Sequence, residues 1–540
     1  MSAAADLLLV DGPVFDGAGW VEGPLALAGE RVLALGPAAA AARGPATRVV
    51  SLRGRCALPG LHDAHTHLIG GALAEEAPDL SRVASSEDLA AAVRAWIAER
   101  ALSPGEWVHG RGWEADRFPG GAWPRRADLD AVAPAHPVLL RRRDGHAAIA
   151  NGAALARTGI SRDTPDPPGG RILRGPDGEP TGVLLEDPAI ELVTTKIPAP
   201  DAETRRRAVA RVLRRAVALG ITSIQDDPSY DERLEPATLY ATLHAAGELP
   251  ARISYWRKLG REHEGLRAEA RDLAAKVPAR HVECGMLKGY LDGSLGSRTA
   301  LLHEDYADAP GARGVDLDEA GLLAEQVRAA HAGGFQVGLH AIGDLALTRA
   351  LELFAAAGPP DEVRARRHRV EHAQLFRPED VARLAAVGAV ASVQPIHLAS
   401  DLLIAPARVG PQRCECAYPW AALRDAGALL AFGTDYPIEP LAPLDGVYTA
   451  LTRRAPPARG VSAGAFHPEQ ALSLEDCLRA YTLGAAEAAH QEGERGRLAP
   501  GYLADVAVFS RDLRGLPPAE LVEVRCELTV RGGEVVFELS

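Results

Sequence analysis

The sequence predicts an α/β protein. Its centre reads as a TIM (β/α)8 barrel, with a β-sandwich built from both ends of the chain and an α/β insertion after the first barrel strand. Three observations carry this. Eight short apolar or β-branched runs between about residues 56 and 490 alternate with Ala/Arg/Leu/Glu-rich helical stretches, the grammar of parallel βαβ units. Both chain ends instead carry short runs punctuated by Gly and Pro. The gap between the first two central strands, residues 69–218, is far too long for one loop.

At the start of the chain, Leu7–Val10, Leu25–Leu27, Val32–Leu35 and Val49–Leu52 read as strands, because Gly12-Pro13, Gly29, Gly36-Pro37 and Gly44-Pro45 bound them. Near the other end, Ala504–Phe509, Val522–Val530 and Glu534–Phe537 alternate, with Gly532-Gly533 as a hairpin signal. Neither set makes a stable domain alone. Together, residues 1–58 and 491–540 make one sandwich, since the ends of a domain often lie close together. Residues 59–490 are left for the barrel. Its strands are Cys56–Leu61, Ile221–Gln225, Arg252–Tyr255, Gly285–Tyr290, Gln336–Leu339, Arg369–Glu371, Ala389–Val393 and Leu429–Phe432. Helices follow at Glu203–Leu219, Ala320–Ala332 and Pro378–Val387. The basic stretch Thr204–Ala216 fits a barrel helix with an apolar stripe and a solvated Arg face. About 75–200 forms the insertion, with a helix at Ser86–Ala101, a strand at Pro137–Leu140 and turns at Gly169-Gly170 and Gly175–Gly178. It is expected to cover the barrel mouth and set substrate selectivity, because loops on that face build the pocket.

Composition narrows the function. The 540 residues are 47% hydrophobic and 24% charged, which excludes bulk disorder. With 59 basic and 72 acidic residues the net charge is −13, which disfavours nucleic acid as a partner. No apolar run is long enough to span a bilayer, so no membrane partner is expected. Six cysteines are too sparse for a disulfide scaffold. Cys414-Glu415-Cys416 reads as two unrelated thiols, since no second Cys or His pair lies nearby. The first residues lack a basic start, and Asp11 breaks their apolar run, so an export signal is not expected and a cytoplasmic location is.

The chemistry lies at strand ends. In Pro59–His67 (PGLHDAHTH), His65 and His67 are two apart, a spacing that lets both imidazoles face one ion. Lys288 lies in strand four; His340, His372 and Asp435 end strands five, six and eight. Each alone has an ordinary explanation: a hydrogen-bonded histidine, a helix-capping Asp, or a lysine with its stem along apolar surface. The set is the argument, because the C-terminal face of a barrel is where catalytic groups gather. Imidazole and carboxylate suit Zn²⁺ or a similar divalent ion. Four histidines and one aspartate hold two ions poorly without a bridge. A lysine supplies one if CO₂ adds to its neutral amine, giving a carbamate. Two ions then share a hydroxide, and Asp435 takes its proton as it attacks and passes it to the departing nitrogen.

With these residues in view, the chain resembles the amidohydrolase superfamily, in its amidohydrolase-3 or YtcJ-like branch. The matching segments are Pro59–His67, Arg141–Asn151 (RRRDGHAAIAN), Gly178–Gly182 (GEPTG), Asp292–Ala300 (DGSLGSRTA), His340–Asp344 (HAIGD), Glu371–Gln374 (EHAQ), Gln394–His397 (QPIH) with Asp401, Gly433–Pro437 (GTDYP) and Gly501–Val506 (GYLADV). The resemblance runs from about residue 6 to 538. It implies a distorted TIM barrel beside a composite β-sandwich. It also implies metal ligation by His65, His67, His340, His372 and Asp435, with Lys288 as the carbamylated bridge; with Lys288 unmodified, a one-metal site would follow. The cofactor implied is a divalent metal, two zinc ions, and a homodimer is expected because dimers are common in the superfamily. Thr434 stands where Ser is frequent, and Gly289-Tyr290-Leu291 where an apolar triplet with Phe is.

Substrate-binding candidates are His146, Trp113, Arg298 and His397. His146 can hydrogen-bond a substrate or hinge the insertion on the barrel, as can Asn151 near it. Trp113 either lines the pocket or packs locally. Arg298 binds a carboxylate or carbonyl, or pairs with an acidic neighbour. Asp344 orients a ligating histidine or caps the next helix. The expected reaction is hydrolysis of a non-peptide carbon–nitrogen bond in a small molecule: an amide, N-formyl amine or cyclic amide. The alternatives are ester or lactone hydrolysis, deamination, or a catalytically silent scaffold.

Overall fold

The structure, a computed structural model, describes residues 4–461 and 463–539. Eight parallel strands form the central sheet: β1 (Leu61–Thr66), β2 (Ile221–Asp226), β3 (Arg252–Lys258), β4 (Val282–Tyr290), β5 (Val337–Ala341), β6 (Arg369–His372), β7 (Val390–Val393) and β8 (Leu429–Phe432). They pair in sequence order from β1 to β8. The first and last strands share no ladder, and loop and side-chain bonds close the barrel there. The Thr434 amide and hydroxyl donate to Asp63 at 2.9 and 2.6 Å. The Asp435 amide donates to the His65 carbonyl at 2.8 Å, and the His67 amide to the Tyr436 carbonyl at 2.7 Å. Gly433 permits this approach, since a Cβ there would sit 2.6 Å from the His65 nitrogen.

One expected boundary is corrected. Cys56–Leu61 is not a barrel strand: Cys56–Pro59 joins the sandwich, and β1 begins at Leu61. Gly60 separates the two, packed against Thr222. Barrel helices cover the outside. The helix Ala202–Val217 starts at Asp201, whose side chain accepts from the Thr204 amide, and buries Val209, Val212, Leu213 and Ala216. Arg211 and Arg215 face outward and pair with Glu75.

The sandwich has two sheets. One runs Arg31–Leu35, Leu25–Ala28, Leu7–Val10, Arg48–Ser51; the other Glu534–Glu538, Cys526–Arg531, Val506–Phe509, Cys56–Pro59, Pro13–Phe15, Trp20–Glu22. Leu7, Leu9, Leu25 and Leu27 of the first pack on Val14, Val506, Val508 and Leu528 of the second. The late strand Val506–Phe509 pairs antiparallel with the early Cys56–Pro59, so both ends of the chain build this unit. Arg252 on β3 ties the barrel to it, donating to both oxygens of Asp505 at 2.7 and 2.9 Å.

The insertion carries its own mixed five-stranded sheet, ordered Arg171–Arg174, Pro180–Leu185, Ala147–Ala150, Val138–Arg142, Val108–Trp113. Its loop at residues 141–146 docks over the barrel. Ser294 and Ser297, after β4, donate to Asp144 at 2.5 and 2.7 Å. Arg143 donates to the Ile438 carbonyl, after β8, at 3.1 Å. Among the described residues, no helix is long and apolar enough to cross a membrane.

Candidate metal centre

The ends of β1, β5, β6 and β8 converge on one buried space. His65 lies in β1, and His67 follows it directly. His340 lies in β5, His372 ends β6, and Asp435 follows β8. The backbone is bent to aim them: His372 and Asp435 hold φ of 74° and 55°, left-handed conformations that cost a non-glycine residue about 1–3 kcal/mol each. Ring centres lie 5.4 Å apart for His65 and His67, 4.9 Å for His65 and His372, and 4.4 Å for His340 and His372.

Each imidazole has its outer nitrogen engaged. His65 Nδ1–H donates to Glu371 Oε2 at 2.6 Å, and His340 Nδ1–H to Asp292 Oδ1 at 3.0 Å. His67 Nδ1–H donates to the Asp227 carbonyl at 2.9 Å, and His372 Nδ1–H to Gln394 Oε1 at 2.8 Å. These acceptors fix the tautomer, so each ring, when neutral, carries its lone pair on Nε2. The partners are themselves held. Arg369 donates to Glu371 at 2.7 Å, and three backbone amides (Leu301, Ile342, Gly343) donate to Asp292.

On the inner side, Asp435 Oδ1 lies 3.3 Å from His67 Nε2 and 3.5 Å from His65 Nε2. The Nε2 atoms of His65 and His340 and the Oδ1 of Asp435 are buried without a hydrogen-bond partner. Orphaned acceptors in such number are costly unless something binds them. A cation fits them. His65, His372 and Asp435 each bring one ligand atom within 4.8 Å of the others, and so do His65, His67 and Asp227. Burial, then the Lys288 charge, lowers the His65 pKa; burial, then His146, holds His340 far below its usual value; burial, then His340, does so for His372. Neutral rings are the ligating form. Burial alone would raise Asp435, but His65, His397 and His67 outweigh it and hold the carboxyl well below the usual range.

Lys288 is buried on β4 with Nζ 3.5 Å from Asp227 Oδ2 and 5.0 Å from the Tyr290 ring. Tyr290 donates to the same carboxylate at 3.0 Å. Asp227, one residue past β2, was not among the expected site residues. Its signal is the pair Asp226-Asp227 at a strand end. Glu371, Asp292 and Gln394 were missed as orienting groups, although all three lie inside the recognised segments.

A cavity of about 550 Å³ opens over this centre, walled by His67, Lys288, His340, His372 and Asp435 below and by the insertion above. His146 and His397 line it. His146 pairs with Glu186 at 2.8 Å; burial would lower its pKa, but Glu186 prevails and pushes it up to about 9. His397 Nε2 lies 3.1 Å from Asp435 Oδ2, and its Nδ1 lies 3.1 Å from Gln374 Nε2. Two expected wall residues are elsewhere. Trp113 is fully buried in the insertion, its Nε1–H on the Leu140 carbonyl at 2.8 Å and its ring against Phe118 and Trp123. Arg298 is taken up by Asp308 at 2.8 and 3.1 Å. Asn151 is structural: its Oδ1 accepts from the Val138 and Ala154 amides at 2.9 Å, capping the helix Gly152–Thr158. Asp344 accepts from the His303 and Leu345 amides, while Asp292 takes the role of orienting His340.

Comparison with known proteins places this geometry. The model of the amidohydrolase family, Amidohydro_3, matches residues 48–537. The protein of Bacillus subtilis (strain 168) named "Putative amidohydrolase YtcJ" is 34% identical over 92% of this chain and 92% of its own. The N-substituted formamide deformylase of Arthrobacter pascens is 28% identical, over 96% of this chain and 94% of its own. Among solved structures, an uncharacterized metal-dependent hydrolase from Pyrococcus horikoshii OT3 superposes with a TM-score of 0.71 at 27% identity, covering 98% of this chain and 99% of that one.

Proposed function

The chain belongs to the amidohydrolase family and is a hydrolase, and from that premise we propose that it cleaves a non-peptide carbon–nitrogen bond with the help of a divalent metal. Amides, N-formyl amines and cyclic amides are the substrate class. The observation that carries this reading is the shared orientation of four imidazoles: each Nδ1–H is engaged outside, and each Nε2 is left for the buried space that Asp435 also faces. A relative named for N-substituted formamides and a structural neighbour named as metal-dependent support it.

In this reading His65, His67, His340, His372 and Asp435, with Lys288 as a carbamate, would hold two zinc ions. Ions held there supply Lewis acidity and water acidified toward neutral pH. The chain's own residues move the proton. Asp435 Oδ2 lies 3.1 Å from His397 Nε2, while Oδ1 is buried without a hydrogen-bond partner. A water adding to the substrate carbonyl gives its proton to Asp435. As the carbon–nitrogen bond breaks, Asp435 returns that proton to the leaving nitrogen. The insertion screens the site from bulk water, which strengthens these electrostatic interactions. All six cysteines are free thiols, which suits the cytoplasm.

The test is a panel of amides, N-formyl amines, cyclic amides, esters and lactones with zinc-replete protein. Amine or formate release that chelation abolishes and zinc restores supports the proposal. Turnover confined to esters, or indifferent to chelation, overturns it.

A further inference from the structure

Five arginines line the cavity above the centre: Arg111, Arg141, Arg142, Arg143 and Arg233. Four are neutralised. Arg141 pairs with Asp187 at 3.0 Å, Arg142 with Asp116 at 2.8 Å, Arg143 with Glu439 at 2.6 Å and Arg233 with Asp231 at 2.7 Å. Arg111 has no carboxylate within 4.0 Å among the described residues. Its strand makes this conspicuous. Val108–Trp113 runs parallel to Val138–Arg142, and Arg111 stands opposite Arg141 in the register. Two like charges directly across a sheet repel.

The guanidinium is nevertheless held in place. Arg111 Nε and Nη2 donate to the Arg143 carbonyl at 3.3 and 2.9 Å. That engages one edge of the planar group and leaves the Nη1 side without a protein partner. A partly buried, prepositioned arginine edge matches the two oxygens of a carboxylate. The acids of the wall do not serve it: Asp401 accepts the Tyr418 hydroxyl, Glu191 lies beside Asp187, and Asp435 and Asp144 act on Arg111 only from beyond 4.0 Å, Asp144 being taken up by Arg142, Ser294 and Ser297.

We propose that Arg111 is an anion subsite of the cavity, and that the substrate carries a carboxylate outside the bond that is cleaved. This rests on the hydrolase reading above and narrows its substrate class to acidic amides such as N-acylated or N-formylated amino acids. A carboxylate there also relieves the repulsion between the two arginines.

The test is calorimetric binding of two non-hydrolysable probes, 3-phenylpropionate and 3-phenylpropanol, to the full-length zinc-replete protein. Arg111→Gln should weaken the acid about 10- to 100-fold and leave the alcohol unchanged. Arg111→Lys, which keeps the charge and loses the fork, should fall between, and it serves if the glutamine variant does not fold. Acid binding that is undetectable in the unaltered protein, unaffected by either substitution, or weakened in step with the alcohol overturns the subsite. Formate release from N-formylphenylalanine and N-formylphenethylamine is read separately. A preference for the acid that Arg111→Gln removes supports the subsite. Equal release from both overturns it and leaves the hydrolase reading standing. Arg111-dependent binding without release from either supports the subsite and counts against that reading.

Discussion

Each imidazole of the centre has its proton placed by a neighbour, so single substitutions separate holding from reacting. Glu371→Gln keeps the size of the acceptor for His65 but removes its charge, and is expected to weaken zinc binding about 10- to 100-fold; competition with a chromophoric chelator measures this. Asp435→Asn is expected to leave the circular dichroism spectrum unchanged while lowering kcat at least about 100-fold, because a neutral amide cannot carry the proton. Near-full kcat in this variant contradicts the shuttle. The convergence of His65, His67, His340, His372, Asp435 and Lys288 was legible in the sequence because strand-end His, Lys and Asp residues in one ordered set have few other uses. Asp227 was not, since an Asp-Asp pair after a strand also reads as a turn. Trp113 and Arg298 were misplaced because their partners, the Leu140 carbonyl and Asp308, follow from folding and not from spacing.

Among the elements, the seam between β1 and β8 matters most, because it carries His65, His67 and Asp435 together. Its closeness depends on Gly433. Gly433→Ala would set a methyl 2.6 Å from the His65 nitrogen, and is expected to cost about 1–3 kcal/mol and part of the bound zinc. Thermal unfolding and metal analysis of the purified variant check both. Most barrel strands were legible as apolar runs. β1 was not, because Leu61–Thr66 (LHDAHT) is mostly polar, although wholly buried, while the apolar run before it belongs to the sandwich. In the insertion, Val108–Trp113 (VHGRGW) and Arg171–Arg174 (RILR) escape a hydrophobic pattern for a similar reason: Gly and Arg occupy positions that face the cavity or solvent.

Across the whole molecule, the sandwich and barrel are joined by the buried pair Arg252 and Asp505, 1% and 6% exposed. Removing one partner strands the other's charge. Arg252→Met is therefore expected to destabilise the fold by about 3–5 kcal/mol, and the double variant with Asp505→Asn to recover part of it; urea unfolding of both decides the matter. The insertion adds a second dependence of function on global architecture, since its loop at 141–146 reaches across to the segments after β4 and β8 and roofs the cavity. In the proposed function, these separate strands deliver their side chains to a common pair of ions. Anomalous diffraction from zinc-loaded crystals, collected at the zinc edge, tests it most directly. The account predicts two peaks among His65, His67, His340, His372, Asp435 and a modified Lys288. Density without a zinc peak among those residues would contradict it.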